Sequence, residues 1–127
     1  MRLLVDTHIL IALAEQKPIP HALMVAMKDY ETDLYASVAS LWEISIKVRL
    51  GKLPLKMPLD TFPKFLATSR FTFIGIRASH ALAMVDPEPP TRDPFDRMLL
   101  TQCQIEGLKL VTIDRALVDH PLAWRAP

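Results

Sequence analysis

Four acidic residues occupy positions where their carboxylates could act together: Asp6, Glu43, Asp96 and Asp114. Asp6 follows the apolar run 3–5, and Asp114 follows the run 110–113. Such runs are typical of strands buried on both faces of a parallel sheet. Ligands of these sheets bind beyond the carboxyl ends of the strands, so the two aspartates would face one crevice if their strands are neighbours. Alternatively, each aspartate caps the helix that follows its strand.

The other two acids lie near the starts of predicted helices. Apolar residues share a helical face with each acid three, four or seven positions later: Ile46 and Leu50 after Glu43, and Leu99, Leu100 and Cys103 after Asp96. Both acids should therefore point toward the edge of the core. Buried carboxylates are costly unless they are paired or bind a metal.

The chemistry that suits these acids is the binding of a divalent metal. We expect no cation of the chain to neutralise them, because Arg97 and Arg115 are neighbours in sequence but should point elsewhere, although Arg115 could bend back. Oxygen ligands favour Mg²⁺ or Mn²⁺. Such an ion polarises a phosphate and generates a nucleophilic water, which suits phosphodiester hydrolysis. Without metal, mutual repulsion should raise some carboxylate pKa values, so metal binding should release protons.

The composition sets the class of protein. The chain has 127 residues, of which 50% are hydrophobic and 23% charged, with a net charge of +1. We predict one domain, residues 1–127, and exclude intrinsic disorder. The near-neutral charge argues against a general duplex-coating protein but leaves room for a small nucleic-acid site. A single cysteine excludes an internal disulfide and a thiolate zinc cage, which favours a reducing compartment.

Several enzyme classes and targeting signals are also excluded. The three glycines are too scattered for a phosphate-binding loop, and neither G-x-S-x-G nor H-E-x-x-H occurs. The N-terminus has features of a signal peptide, but Asp6 and His8 interrupt it and the remaining apolar stretch, 9–14, is too short. We therefore predict a cytoplasmic protein.

The elements that must position the acids alternate between strands and helices. We predict strands at 2–5, 34–37, 71–76 and 108–113 and helices at 7–15, 21–30, 38–50, 60–70, 78–85 and 94–106, with one helical turn in the tail. Ser37 and Asp93 should cap helices, and Gly51 and Gly107 should end them. This order predicts an α/β fold, a three-layer α/β/α sandwich around a central parallel sheet of four to five strands.

Three segments, in this order, resemble PIN-domain proteins, and in particular VapC-type toxins of bacterial and archaeal toxin–antitoxin pairs: LLVDTHILIALAE, SLWEISIKVRLGKLPL and DPFDRMLLTQCQIEGLKLVTID. The resemblance extends from Met1 to about Asp119. It implies a PIN-like fold and a Mg²⁺- or Mn²⁺-dependent endoribonuclease acting on tRNA, rRNA or mRNA. It also implies a homodimer and a small antitoxin whose tail occupies the acidic groove.

The resemblance assigns roles to the four acids. Asp6 matches the strand-end acid of the family, Glu43 the helix glutamate, Asp96 the acid of the D-x-x-L-L segment and Asp114 the acid of T-x-D. All four are thus implied catalytic residues and metal ligands. We expect Asp6 and Asp96 to bind metal directly, while Glu43 and Asp114 complete the site directly or through water. The number of metal ions, one or two, stays open.

Further candidates surround these acids. Thr7 and Thr112 could anchor waters or phosphate oxygens, and Asp93 could hold a metal-bound water, although capping and packing also explain all three. Basic residues that could contact an RNA backbone are Lys47, Arg49, Lys52, Lys56 and Arg115. Cations are also favoured at a helix C-terminus, so a solvated helix end explains most of this run equally well.

Five residues outside the acid set have simpler predicted roles. We expect Cys103 in the core and Trp42 and Trp124 in packing or an interface. Met24 and Met27 fit either the core side of their helix or a dimer face.

Two rival functions remain. An aspartyl-phosphate enzyme is disfavoured because no second acid accompanies Asp6, which Thr7 and His8 follow. The other rival is a catalytically silent PIN-like RNA- or protein-binding module. Four repelling carboxylates argue against it, because such a module has no physical reason to keep them together.

Overall fold

The computed structural model describes all residues, Met1–Pro127. The four strands are β1 (Arg2–Val5), β2 (Asp33–Ser37), β3 (Phe71–Ile74) and β4 (Lys109–Val111). The six α-helices are α1 (Thr7–Ala14), α2 (His21–Lys28), α3 (Val38–Arg49), α4 (Phe62–Thr68), α5 (Ala78–Leu82) and α6 (Pro94–Glu106), and a 3₁₀ turn spans Leu59–Thr61. None of these helices combines the length and the apolar character needed to cross a membrane.

The strands form one parallel sheet in the order β3-β2-β1-β4. Val5 lies opposite Val111, so the residues that follow β1 and β4 leave the same edge of the sheet side by side. The predicted parallel sheet is therefore confirmed, as is the condition that the strands before Asp6 and Asp114 are neighbours.

Helices cover both faces of this sheet. Leu3 and Val5 of β1 belong to one core, which also contains residues of α1, α2, α3 and α4: Ile9, Leu10, Leu23, Ile44, Phe62 and Leu66. Leu4 points the other way, into a second core with Leu99, Leu100 and Cys103 of α6. Because Leu3, Leu4 and Val5 are buried on alternate sides of the sheet, this part of β1 is an unbroken apolar run. The layered α/β/α architecture is thus confirmed, and so is the core position of Cys103.

The predicted caps fix where the two acid-bearing helices begin and end. Ser37 Oγ accepts a hydrogen bond of 3.0 Å from the Ala39 amide at the start of α3. Asp93 Oδ1 accepts one of 2.8 Å from the Phe95 amide at the start of α6. Gly107 ends α6 with a φ of +69°, a left-handed conformation that glycine adopts without strain.

Several strands and helices are shorter than the sequence predicts. β3 ends at Ile74 rather than at 76. The carbonyl of the next residue, Gly75, accepts a hydrogen bond from the Gln102 side chain. β4 ends at Val111 rather than at 113, since the Asp114 amide donates its hydrogen bond to the Thr112 hydroxyl. Helices α2, α4 and α5 are also shorter than predicted, ending at 28, 68 and 82. The consequence for the site is that Asp114 lies in a turn beyond its strand.

The tail contains the predicted helical turn and then covers the sheet edge. The Val118 amide bonds to the Asp114 carbonyl, which closes one turn. Leu110 then exchanges backbone hydrogen bonds with Leu122 and Trp124, each of 2.8 Å. This pairing is a single bridge, so the sheet has four strands, the lower of the two predicted numbers.

Candidate functional site

Asp6 lies directly beyond the carboxyl end of β1 and is only 3% exposed. Its Oδ1 accepts a hydrogen bond of 2.7 Å from the Thr7 amide, so the residue does cap α1. Its Oδ2 accepts another, also of 2.7 Å, from the Thr112 hydroxyl. Each carboxylate oxygen can accept more than one bond, so capping leaves lone pairs free for a metal or a water.

Burial raises the pKa of Asp6 above its usual value. Hydrogen bonds from Thr112 and Thr7 act in the opposite direction, because they stabilise the charged form. The nearby charge of Glu43 adds to the upward shift. Asp6 is thus a buried acid held in a fixed orientation by two donors.

Asp96 lies half-buried in the first turn of α6, and its pKa is raised to about 7. Burial is the largest cause, and repulsion from other carboxylates adds to it: Asp93, Asp6, Asp114 and Glu43. The structure therefore brings all four predicted acids, together with Asp93, into one electrostatic neighbourhood. Like charges that interact across a site shift one another's ionisation in this way.

Glu43 is 6% exposed, and its Oε2 accepts a hydrogen bond of 2.7 Å from Lys47 Nζ. The expectation that no cation of the chain faces the acids is therefore wrong. Lys47 lies four residues after Glu43, so both side chains share one face of α3. Lys47 was predicted only as a contact for an RNA backbone, and here it forms an ion pair with an acid of the site.

Asp114 lies half-buried in the turn after β4. Its Oδ1 accepts a hydrogen bond of 2.9 Å from the Ala116 amide, and its own amide donates one of 3.0 Å to the Thr112 hydroxyl. The Thr112 hydroxyl thus accepts from the backbone of Asp114 while it donates to Asp6. A single threonine couples the acids that follow β1 and β4.

The donor set suits a hard divalent cation, since it consists of carboxylate oxygens. In their present rotamers, however, no three Asp, Glu, His or Cys side chains lie close enough to share a metal ion. Carboxylates repel one another over short distances, and Glu43 is turned to Lys47. The side chains fit such an ion in chemistry, and they would have to rotate to reach it together.

Hydroxyl groups lie next to the acids, and the sequence analysis did not identify two of these hydroxyl residues, Ser40 and Thr91. Thr7 Oγ1 lies 2.8 Å from Ser40 Oγ, and both residues are buried. Thr91 Oγ1 lies 3.5 Å from Asp96 Oδ2. Ser40 precedes Glu43 by three residues, so helical spacing could have placed it on the same face. Thr91 belongs to a proline-rich loop, where spacing carries no such signal.

The other predicted cations do not pair with the acids. Arg97 forms an ion pair of 2.5 Å with Glu88, which confirms that it points elsewhere. Arg49 donates a hydrogen bond of 2.8 Å to Ser45 Oγ. Exposed cations with no carboxylate within 4.0 Å include Arg49, Lys52, Lys56 and Arg115. These four remain available to a phosphate backbone.

An apolar cleft adjoins the acid-bearing starts of α3 and α6. Trp42 is 58% exposed and meets the Phe95 ring edge to face, with centroids 5.5 Å apart. The cleft measures about 190 Å³, and Ile76 and Met98 also line it. Trp42 is thus mostly a surface residue, which fits the predicted interface role better than the predicted packing role. Trp124, by contrast, is half-buried and packs against the core.

The two methionines of α2 divide between the predicted alternatives. Met27 is half-buried and packs against the core. Met24 is 44% exposed. The helix therefore offers an apolar side chain to each environment.

Comparison with known proteins gives a family and a fold. The family model described as "PIN domain" matches residues 3–121. A solved structure entitled "Toxin-antitoxin complex from Klebsiella pneumoniae" contains a chain that superposes with a TM-score of 0.65 at 20% identity. The match covers 98% of both chains, and at this identity it establishes likeness of fold. No curated protein matches the sequence significantly.

Proposed function

The chain belongs to the PIN domain family, and from that membership we propose that it is a divalent-metal-dependent endoribonuclease that hydrolyses RNA phosphodiester bonds. One observation carries the proposal: Asp6 and Asp114 follow neighbouring strands, and both bond to the Thr112 hydroxyl. Burial, and then repulsion from Asp93, Asp6, Asp114 and Glu43, raise the pKa of Asp96 to about 7. Such a concentration of negative charge is costly unless a cation offsets it. PIN-domain nucleases typically use a divalent metal, here proposed as Mg²⁺ or Mn²⁺.

The four acids would hold the metal, with Asp6 and Asp96 as direct ligands and Glu43 and Asp114 completing the site. When bound there, a divalent ion would supply Lewis-acid chemistry for phosphodiester hydrolysis. Thr112 and the Thr7 amide fix the orientation of the Asp6 carboxylate, since each of its oxygens has one donor at 2.7 Å. A ligand held in this way needs little reorganisation during the reaction.

Asp114 is suited to orient the attacking water. Its Oδ1 is committed to the Ala116 amide, and Oδ2 has no hydrogen-bond partner within the protein. A half-buried carboxylate with one free oxygen can accept a proton from a water held near the metal. Asp93, which caps α6, would act on waters at the rim of the site. Thr7, which is buried with its hydroxyl bonded to Ser40, would act on waters inside it.

The proposed substrate is tRNA, rRNA or mRNA. Exposed cations free of carboxylates lie at the end of α3, in the segment after it and next to Asp114: Arg49, Lys52, Lys56 and Arg115. With a net charge of only +1, the protein must concentrate its attraction for phosphates locally. These cations, which follow Glu43 and Asp114 in the chain, would provide that attraction.

We also propose that the chain is the toxin of a toxin–antitoxin pair. The similar fold from Klebsiella pneumoniae comes from a toxin–antitoxin complex. Under this proposal a small antitoxin protein binds the chain, which works in the cytoplasm as a homodimer of single PIN domains. Co-purification from a cell that carries the gene of this chain and the genes next to it would detect the antitoxin.

The silent binding module remains the second candidate, and one observation favours it. No three potential ligands lie at metal-binding spacing in their present rotamers. A module of this kind would bind RNA or protein with unchanged affinity when metal is added. It would leave RNA intact under all conditions.

The deciding experiment is incubation of total tRNA and rRNA with purified protein that has been freed of any partner. Reactions contain Mg²⁺, Mn²⁺ or EDTA, with the Asp96→Asn variant and, as a matched control, Asp60→Asn at an exposed acid outside the site. We expect discrete fragments from wild type and Asp60→Asn only when metal is present. Fragments that persist in EDTA or with Asp96→Asn would contradict the proposal.

A further inference from the structure

We infer that Lys47 is an exchangeable counter-ion: it holds Glu43 in the metal-free protein and moves to the RNA backbone when a divalent metal binds. The inference rests on the proposed function, because it assumes that the acids bind metal. It concerns a step that precedes catalysis, and it gives a residue outside the acid set a defined role.

Lys47 is the one cation of the chain that pairs with an acid of the site. Its Nζ lies 2.7 Å from Glu43 Oε2. The chain's other ion pairs involve Glu15, Glu88 and Glu106, none of which belongs to the site. Because Glu43 is buried, its charge needs a partner, and Lys47 supplies it.

The exposure of the pair makes it exchangeable. The Glu43 side chain is 8% exposed, whereas that of Lys47 is 37% exposed. Glu43 is therefore fixed among the acids, while the lysine ammonium sits on a flexible stem with access to solvent. Pairs at this helical spacing are individually weak, so a stronger cation can replace the lysine.

Charge decides the direction of the exchange. Lys47 brings one positive charge to one acid at the edge of the site, whereas a divalent ion would bring two charges to several acids. The Coulomb energy favours the latter arrangement at short distance. Glu43 would then turn toward the other acids, and Lys47 would lose its partner.

The released ammonium would lie beside cations that already lack carboxylate partners. Lys47 is one helical turn beyond Glu43, in the direction of Arg49 and Lys52. A phosphate backbone held at the acids would pass this helix end. Lys47 would then add one phosphate contact, and such contacts steepen the salt dependence of RNA binding by just under one unit each.

The first test titrates Mn²⁺ alone into metal-free protein and follows binding by calorimetry and electron paramagnetic resonance. Lys47→Met keeps the length of the side chain without its charge, and we expect it to bind Mn²⁺ roughly threefold more tightly than wild type does. Arg49→Met removes a charge from the same helix without touching Glu43, and we expect a smaller change. Lys47→Arg should behave like wild type.

The second test measures cleavage of tRNA at saturating Mn²⁺ over a range of salt concentrations. We expect Lys47→Met to raise KM and to flatten its salt dependence while kcat stays near the wild-type value. A residue with a purely structural role would not tighten metal binding and weaken RNA binding together. Lys47→Gln serves as a second variant if Lys47→Met shows a lowered melting temperature.

The outcomes separate the inference from the proposed function. Equal Mn²⁺ affinity of wild type, Lys47→Met and Lys47→Gln would overturn the exchange. A gain in affinity in Arg49→Met equal to that in Lys47→Met would overturn it too. Neither result would contradict the proposed nuclease function. Failure of every protein to bind Mn²⁺ would instead overturn the proposed function and the exchange with it.

Discussion

The Thr112 hydroxyl donates a hydrogen bond of 2.7 Å to Asp6 Oδ2, although 106 positions separate the two residues in the chain. The register of the sheet explains this contact, because Val5 lies opposite Val111 and the next residues leave the sheet together. The same hydroxyl accepts a hydrogen bond from the Asp114 amide. Thr112 therefore sets the orientation of one acid and the position of another.

Replacement of Thr112 by valine should weaken both metal binding and the fold. Valine has nearly the same shape but leaves Asp6 Oδ2 without its donor, and an unsatisfied buried acceptor costs about 1–3 kcal/mol. We expect metal affinity to fall about tenfold, as for other residues that hold a ligand in place. Urea unfolding and a Mn²⁺ titration measure the two effects.

Thr112→Ser is the matched control, since it keeps the hydroxyl and removes only a methyl group. We expect near-wild-type metal affinity from this variant. If Thr112→Val bound metal as tightly as Thr112→Ser does, the hydroxyl would have no role in holding Asp6.

The shifted pKa of Asp96 predicts how the stability of the metal-free protein depends on pH. The folded state holds a proton on Asp96 up to about pH 7, whereas the unfolded chain loses it near the ordinary value of 3.8. Between these values the folded state binds more protons, so Asp96 lowers the free energy of unfolding as pH rises from about 4 to 7, and no further above that range. The pKa of Asp6, also raised, acts in the same direction.

The test compares Asp96→Asn with wild type across this range. We expect the variant to gain stability relative to wild type as pH rises from 4 to 7, by on the order of 1 kcal/mol because Asp96 is partly solvated. Asp60→Asn, at an exposed acid outside the site, is the matched control. A constant difference between Asp96→Asn and wild type at all pH values would contradict the coupling of Asp96 to the other acids.

Metal binding near neutral pH should release protons. The pKa of Asp96 is raised to about 7, and a metal binds only the ionised form of the carboxyl group. We expect calorimetric titrations with Mn²⁺, in buffers of different ionisation enthalpy, to show proton release that fades toward pH 9. Release that does not change with pH would show that Asp96 does not bind the metal.

The sequence predicted the features that follow from local rules. Ser37 and Asp93 cap their helices as expected, because capping depends on the residue type and its immediate neighbours. The run before Asp6 predicted a central buried strand, since only a strand buried on both faces is apolar at every position. These rules predicted that Asp6 and Asp114 follow the carboxyl ends of two strands, and the sheet order then showed that those strands are neighbours.

The contacts that tune the site depend on tertiary placement. Lys47 shares a helix face with Glu43, but the spacing alone could not show that Glu43 would turn to it before the other acids. The bond between Thr112 and Asp6 requires the exact register of two strands that are distant in sequence. β3 and β4 end earlier than predicted because the backbone groups of Gly75 and Asp114 bond to side chains rather than to a neighbouring strand.

The most direct test of the account is anomalous diffraction at the manganese edge from crystals soaked in Mn²⁺. We predict anomalous density between Asp6 and Asp96, with Glu43 turned toward it and Lys47 Nζ no longer within hydrogen-bond distance of Glu43. Crystals of Asp6→Asn should show this density weakened or lost. Anomalous density confined to other surfaces of the protein, or none at all at saturating Mn²⁺, would contradict the proposal that these acids form a metal centre.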